Sequence, residues 1–274
     1  MSAYDIRQLS FAGVAMLALL GQSQAAFAET EAAGSFDKLQ AFFALPTELD
    51  FDSGAENGDA KILRIMPLYT FPVFARWKLV HLDIISLADA PSGTPTNPGD
   101  PSNEPAAGLS DLMHASFVTP TSTDNFIWGI GVMASLPTAT DKSLGSGKWA
   151  AGPAIRFTYR TEKWNLGLIA GQRWSFAGSG NRKDVSQLVM RGFVRRQLPD
   201  DWFFVSAPLI VANWDSPEQE WLVPLGGGIG RKFTLNKYPW AWSVQGYYNV
   251  IKPDASPDWV VRFAVITAIP FGEK

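Results

Sequence analysis

Trp259-Val260-Val261-Arg262-Phe263-Ala264-Val265-Ile266-Thr267-Ala268-Ile269-Pro270-Phe271 is the run that decides the fold. Successive side chains of a strand point to opposite sides. Trp259, Val261, Phe263, Val265, Thr267, Ile269 and Phe271 therefore share one face, and Val260, Arg262, Ala264, Ile266 and Ala268 the other. The same split recurs at 149–160, where Trp149, Ala151, Pro153, Ile155, Phe157 and Tyr159 oppose Gly152, Arg156, Thr158 and Arg160. At 240–251, Trp240, Trp242, Val244, Tyr248 and Val250 oppose Ser243, Gln245, Tyr247 and Asn249. Each apolar face begins or ends on an aromatic residue, the pattern of a strand that crosses a bilayer between two interfacial girdles.

Between the alternating runs, short polar turns are followed at once by an aromatic. Glu162-Lys163 precedes Trp164, Pro199-Asp200-Asp201 precedes Trp202, and Asn236-Lys237-Tyr238-Pro239 precedes Trp240, three tryptophans spaced by 38 residues. Two strands of about ten residues, one tight turn and one longer loop fill such an interval. The longer connections, among them 52–59, 88–108, 137–148, 177–184, 214–220 and 252–258, are rich in Gly, Pro, Ser and acids, the residues of turns and loops. The predicted strands are 42–52, 60–71, 76–87, 109–119, 126–136, 149–160, 164–176, 185–197, 202–213, 221–233, 240–251 and 259–271. About twelve antiparallel strands result, closed into a single transmembrane β-barrel with short periplasmic turns and longer extracellular loops. An even count returns both termini to one side. A soluble β-sandwich also alternates, but it buries its aromatics between sheets and has no need of an aromatic beside every short turn. Strands 76–87 and 202–213 depart from the pattern, with polar and apolar residues on both faces.

Composition and address agree with export. Arg7 precedes the apolar run Phe11–Gly21, which is too short for a transmembrane helix, and Ala26-Phe27-Ala28 is a small-x-small cleavage site. Residues 1–28 are thus read as a signal peptide and 29–274 as the barrel domain. Eleven Trp and eighteen Phe are many for a soluble exported domain and suit contact with outer-membrane lipid. With no cysteine there is no disulfide or thiolate metal site, and a formal charge of −3 argues against nucleic acid as a partner.

Gly108-Leu109-Ser110-Asp111, Leu136-Pro137-Thr138-Ala139-Thr140-Asp141, Leu144-Gly145-Ser146-Gly147-Lys148-Trp149, Trp174-Ser175-Phe176-Ala177-Gly178, Trp221-Leu222-Val223-Pro224-Leu225-Gly226 and Tyr247-Tyr248-Asn249-Val250 carry a family likeness. The chain resembles the outer-membrane family tied to the meta-pathway of phenol degradation in Gram-negative bacteria. That resemblance implies an outer-membrane β-barrel transporter of small, aromatic or anionic solutes. It carries over no functional residue. Gly272-Glu273-Lys274 follows Phe271, whereas related sequences stop soon after the last aromatic, which the barrel-assembly machinery reads.

Parity sends Arg64, Arg156, Arg160, Arg173, Arg191, Arg195 and Arg262 to the lumen, with Gln245 and Tyr247. Few acids share those faces; Asp83 and Asp111 are candidates, and Asp52, Glu56, Asp59, Asp215 and Asp258 are assigned to loops. A basic lumen lowers the barrier to anions, while arginines that only fill the barrel are the bland alternative. In the loop 137–148, Asp141, Lys142 and Lys148 either pair with one another or fold inward as a constriction. Trp77, Trp128, Trp149, Trp164, Trp202, Trp221, Trp240, Trp259 and Phe271 are the expected girdle. Gly147-Lys148 is not a phosphate loop, because Trp149 stands where magnesium needs Ser or Thr. No His and carboxylate cluster has ligand spacing, so neither metal nor cofactor is expected. Passive passage of small solutes by a non-enzymatic barrel is the first reading. A non-conducting structural or adhesive barrel, offering the Pro-rich segment 88–108 to partners, is another. An outer-membrane lipid hydrolase is a further class: His114-x-Ser116 with a nearby acid resembles outer-membrane lipid deacylases, in which a base activates a serine, although a polar pair on a lumen face is the commoner use of two such residues.

Overall fold

The computed structural model describes residues 42–55, 58–91, 105–121, 124–215, 221–254 and 256–270. The signal-peptide segment, the Phe271 girdle position, the tail after it and most of the Pro-rich segment 88–108 lie outside them. Twelve strands form one antiparallel sheet: β1 (Phe42–Ala44 and Thr47–Ser53), β2 (Ala60–Ile65 and Leu68–Phe74), β3 (Trp77–Ala90), β4 (Ala106–Leu109 and Leu112–Pro120), β5 (Phe126–Leu136), β6 (Lys148–Arg160), β7 (Trp164–Gly178), β8 (Ser186–Gln197), β9 (Trp202–Ser206 and Leu209–Asn213), β10 (Trp221–Leu235), β11 (Tyr238–Ile251) and β12 (Trp259–Pro270). Each strand pairs with the next, and β12 returns to β1 with Phe42 opposite Pro270 and Ala44 opposite Ala268. The Leu45 amide to the Thr267 carbonyl (3.1 Å) and the Asp258 amide to the Ser53 carbonyl (2.9 Å) extend that seam. The sheet is a closed twelve-stranded barrel, as the alternation and turn spacing predict.

The strand breaks have local causes. Three fall at Pro46, Pro67 and Pro208, where the missing N–H cannot join the ladder. The short turns follow hairpin geometry. Asp200 and Asp201, and Asn236 and Lys237, take positive φ, which matches the right-handed twist of the flanking strands. A Cβ on Gly228 of β10 would lie 1.8 Å from the Val244 carbonyl, so this tight wall admits only glycine there.

Outward side chains carry the aromatics. Trp77 and Trp128 meet edge to face at 6.1 Å near the short-turn end, as do Trp202 and Trp242 at 5.6 Å. Trp214 with Trp221 (5.6 Å) does so near the long-loop end, where Tyr248 and Trp259 also meet, tilted, at 4.8 Å. Trp149, Trp164 and Trp240 also lie on the outer faces of their strands. These are two belts at the two ends of the wall. Inside, Phe42, Leu68, Val80, Phe117, Phe203 and Ile266 pack as an apolar core, a filling the expected basic lumen does not include.

Candidate functional site

The inner face is defined by contacts that cross the barrel. Arg191 on β8 donates to both Glu48 oxygens on β1, at 2.9 and 3.2 Å. Arg262 on β12 forks onto Asp50, Nε to Oδ1 at 2.8 Å and Nη2 to Oδ2 at 2.9 Å. Arg64 on β2 reaches the same Asp50 at 2.5 Å and lies 3.8 Å from Glu48. The break in β9 completes the cluster: the Ala207 carbonyl accepts from Arg262 at 3.0 Å and from Arg191 at 3.3 Å. Its amide donates to the Tyr247 hydroxyl at 2.8 Å, and that hydroxyl donates to Gln245. Glu48 is fully buried, and Asp50, Asp52, Arg64 and Arg262 nearly so. Bidentate arginine–carboxylate pairs hold such geometry well.

This cluster corrects the expected shortage of acids. Glu48, Asp50 and Asp52 all project inward from β1, and Asp52 is a buried strand residue rather than a loop acid. The signal stood in the sequence: acids at alternate positions, with Leu49 and Phe51 between them. The other expected lumen residues lie on inner faces too. Arg156, Arg173 and Arg195 are buried, Arg173 donating to Gln187 and Arg195 stacking 4.0 Å over the Phe203 ring; Arg160 has the same parity as Arg156 at the short-turn end of β6. Beside the cluster is a cavity of about 80 Å³ walled by Met66, Leu82, Ile84, Met113, Met133 and Val189, with Arg64, Arg191 and Gln187 at its polar margin.

The loop between β5 and β6 folds inward, though not by its charges. Leu144 is buried against Ile62, Ala88 and Ala90, inner residues of β2 and β3. Asp111, expected in the lumen, anchors this loop at the break in β4: it accepts from the Ser146 amide and hydroxyl, both at 2.7 Å, and from the Ala139 amide at 3.3 Å. A Cβ on Gly145 would lie 2.4 Å from Asp111, so the approach needs glycine, and Gly147 turns the chain at φ +68. Arg182 of the next long loop donates to the Ser146 carbonyl at 3.2 Å, to that of Lys142 at 2.7 Å and to that of Gly145. Lys148 pairs with Asp184 of that loop at 2.9 Å. Asp141 is exposed and binds the Ser143 amide and hydroxyl, and those hydrogen bonds hold its carboxyl below the usual carboxylate range. Asp141 and Lys142 therefore form no constriction; Leu144 is the residue that enters.

Asp83, His114 and Ser116 are corrected in the other direction. β4 pairs with β5 so that Ser116 lies opposite Val132, an exposed outer residue, while Met113, Ala115 and Phe117 are the buried inner set. On β3, Val80, Ser86 and Ala88 are buried, and Trp77 and Leu87 are exposed, which leaves His81 and Asp83 outward. These four polar side chains stand on the outer surface of the wall, so the polar residues noted in strand 76–87 divide, His81 and Asp83 outside and Ser86 inside.

No family model matches the chain, and no curated protein matches it in sequence. Solved structures do. An outer-membrane channel from Pseudomonas putida F1 is 13% identical and superposes with a TM-score of 0.56 over 85% of this chain and 95% of that one. The NanC porin is 9% identical, with a TM-score of 0.51 over 82% of this chain and 98% of that one. The chain has the fold of outer-membrane channel barrels.

Proposed function

We propose that the protein is an outer-membrane channel for small solutes, and that it favours small apolar or aromatic molecules carrying one anionic group. The observation that supports this is the apolar cavity inside the closed wall, edged by Arg64 and Arg191. An aromatic or aliphatic body gains from that lining, at roughly 25 cal/mol per Å² of apolar surface removed from water. Its carboxylate meets guanidiniums already held by Glu48 and Asp50. Those acids compete with the solute, so the site is weak, and weak sites permit passage rather than trapping. Arg156, Arg173 and Arg195 add positive potential inside the wall. Export through the 1–28 signal, insertion by the barrel-assembly machinery and kinship with the phenol meta-pathway transporters belong to the same reading.

The test is liposome swelling with the purified barrel, using benzoate, a neutral sugar of similar size and a cationic amine. Benzoate is expected to enter fastest, and reversal potentials in a salt gradient are expected to favour anions. Cation preference, or equal rates for all three solutes, removes the proposal.

A further inference from the structure

We propose that Asp83, His114, Ser116 and His81 form a serine hydrolase site on the outer wall of the barrel, acting on carboxylic esters dissolved in the surrounding lipid. The inference does not rest on the channel reading, although His114 also borders the inner cavity. β3 and β4 pair with His81 opposite Ser116 and Asp83 opposite His114, so hairpin register alone brings the four together. The Asp83 Oδ1 to His114 Nδ1 distance is 2.6 Å, and His114 Nε2 lies 2.5 Å from Ser116 Oγ. His81 Nδ1 lies 2.7 Å from the same Oγ.

With His114 neutral, one proton arrangement satisfies every contact. Asp83 accepts from Nδ1–H of His114, which leaves Nε2 unprotonated to accept from the Ser116 hydroxyl. His81 then donates its Nδ1–H to the Oγ lone pair. A base that is oriented by a carboxylate and bonded to a serine is the arrangement that activates an oxygen nucleophile. The Phe71 ring stacks on His81 at 5.3 Å and fixes its plane.

Position argues for use. Four polar side chains grouped on a lipid-facing wall are costly, and such residues within a membrane are a functional hypothesis by default. His114 and Asp83 keep about a third and a quarter of their side-chain surface open, 34% and 27%, so the group is reachable from outside. It sits midway along β3, between Trp77 and Ala90. That depth suits an ester that partitions into hydrocarbon.

In the reaction, Ser116 Oγ forms a bond to the acyl carbon as its proton passes to His114 Nε2. The carbon–oxygen bond of the ester then breaks, and the departing alcohol takes that proton. Water attacks the acyl-serine and gives a proton to His114, which returns it to Ser116 as the carboxylic acid leaves. His81 is the donor placed to follow the developing oxyanion. Asp83 is a positioning residue.

The experiment uses the refolded full barrel, with folding scored for each variant by its heat-dependent shift on a denaturing gel. A fluorophosphonate probe is expected to label Ser116, with the adduct located by mass spectrometry. Hydrolysis of a membrane-partitioned p-nitrophenyl ester is expected to fall by on the order of 10⁶-fold, to background, in Ser116→Ala and His114→Asn. Asp83→Asn is expected to lower kcat with KM unchanged, and Asp83→Glu to restore part of it. Phospholipid vesicles run in parallel tell the source of the ester: release of fatty acid assigns membrane lipid, and hydrolysis of the p-nitrophenyl ester alone assigns a dissolved apolar ester. A folded wild-type barrel that neither takes the probe nor cleaves either ester overturns the proposal, as does hydrolysis that persists in folded Ser116→Ala.

Discussion

Glu48 lies where Arg191, Arg262 and Arg64 converge, and its burial is complete. A buried carboxylate stays charged only while its partners neutralise it. Glu48→Gln keeps the shape and removes one negative charge from a group that also holds Asp50 and Asp52. Two results are expected. Unfolding in urea from lipid vesicles should show a loss of about 3 kcal/mol, because cationic partners are left without their acid. Reversal potentials in a salt gradient should move further toward anions, since the guanidiniums are freed to meet a transiting carboxylate. An unchanged potential would place the cluster off the path of the ions. The arginines were legible in the sequence because an isolated charge stands out against small neighbours, as Arg262 does between Val260 and Ala264. The acids also stand at alternate positions, but a run broken at Pro46 gives parity no long strand to fix their face, and it is the arginines reaching them across the barrel that place them inside. Polar type alone sends Asp83 and His114 to the lumen; the register of β4 on β5, with the burial of Met113, Ala115 and Phe117, puts them outside.

At the scale of the element, the strands were the most readable part, since period-2 alternation and hairpin turns are local properties. The inward fold of the loop between β5 and β6 was not, because its holds come from elsewhere in the chain: Asp111, Arg182 and Asp184. The contact of Lys148 with Asp184 gives this element a pH response. The Lys148 ammonium, then the Ser175 hydroxyl, hold the Asp184 carboxyl below its ordinary value of 3.8. A lowered pKa means the contact contributes above the ordinary value and is lost as pH falls through the lowered one. The Lys148–Asp184 contact should therefore persist from neutral pH down past 3.8 and open only in stronger acid. The chain has no cysteine, so a spin label on Lys183→Cys reports this region alone. Its immobilised component should persist unchanged at pH 4 and shrink, without vanishing, at lower pH. Adding Lys148→Met should weaken it at every pH, while Arg182, whose partners are carbonyls, supplies the hold that does not titrate.

The whole molecule depends on closing β12 onto β1, and that seam is short in regular pairs, with Phe42–Ala44 opposite Ala268–Pro270. Side chains reinforce it from both faces. Outside, Phe51 and Phe263 meet edge to face at 5.9 Å. Inside, Arg262 forks onto Asp50 and also reaches the Ala207 carbonyl across the barrel. The ion pair thus ties the first strand, the last strand and the broken β9 into one unit, and an open edge in lipid leaves backbone groups without partners. Removing one member leaves a buried charge uncompensated, so Asp50→Ala should cost about 3 to 5 kcal/mol and lower the temperature at which the barrel loses its compact gel mobility. Replacing both members by apolar residues of similar size removes the charge as well as the contact. Asp50→Leu with Arg262→Met should accordingly recover much of that loss. A double variant as unstable as the sum of its singles would mean that the fork itself, rather than charge balance, holds the seam closed.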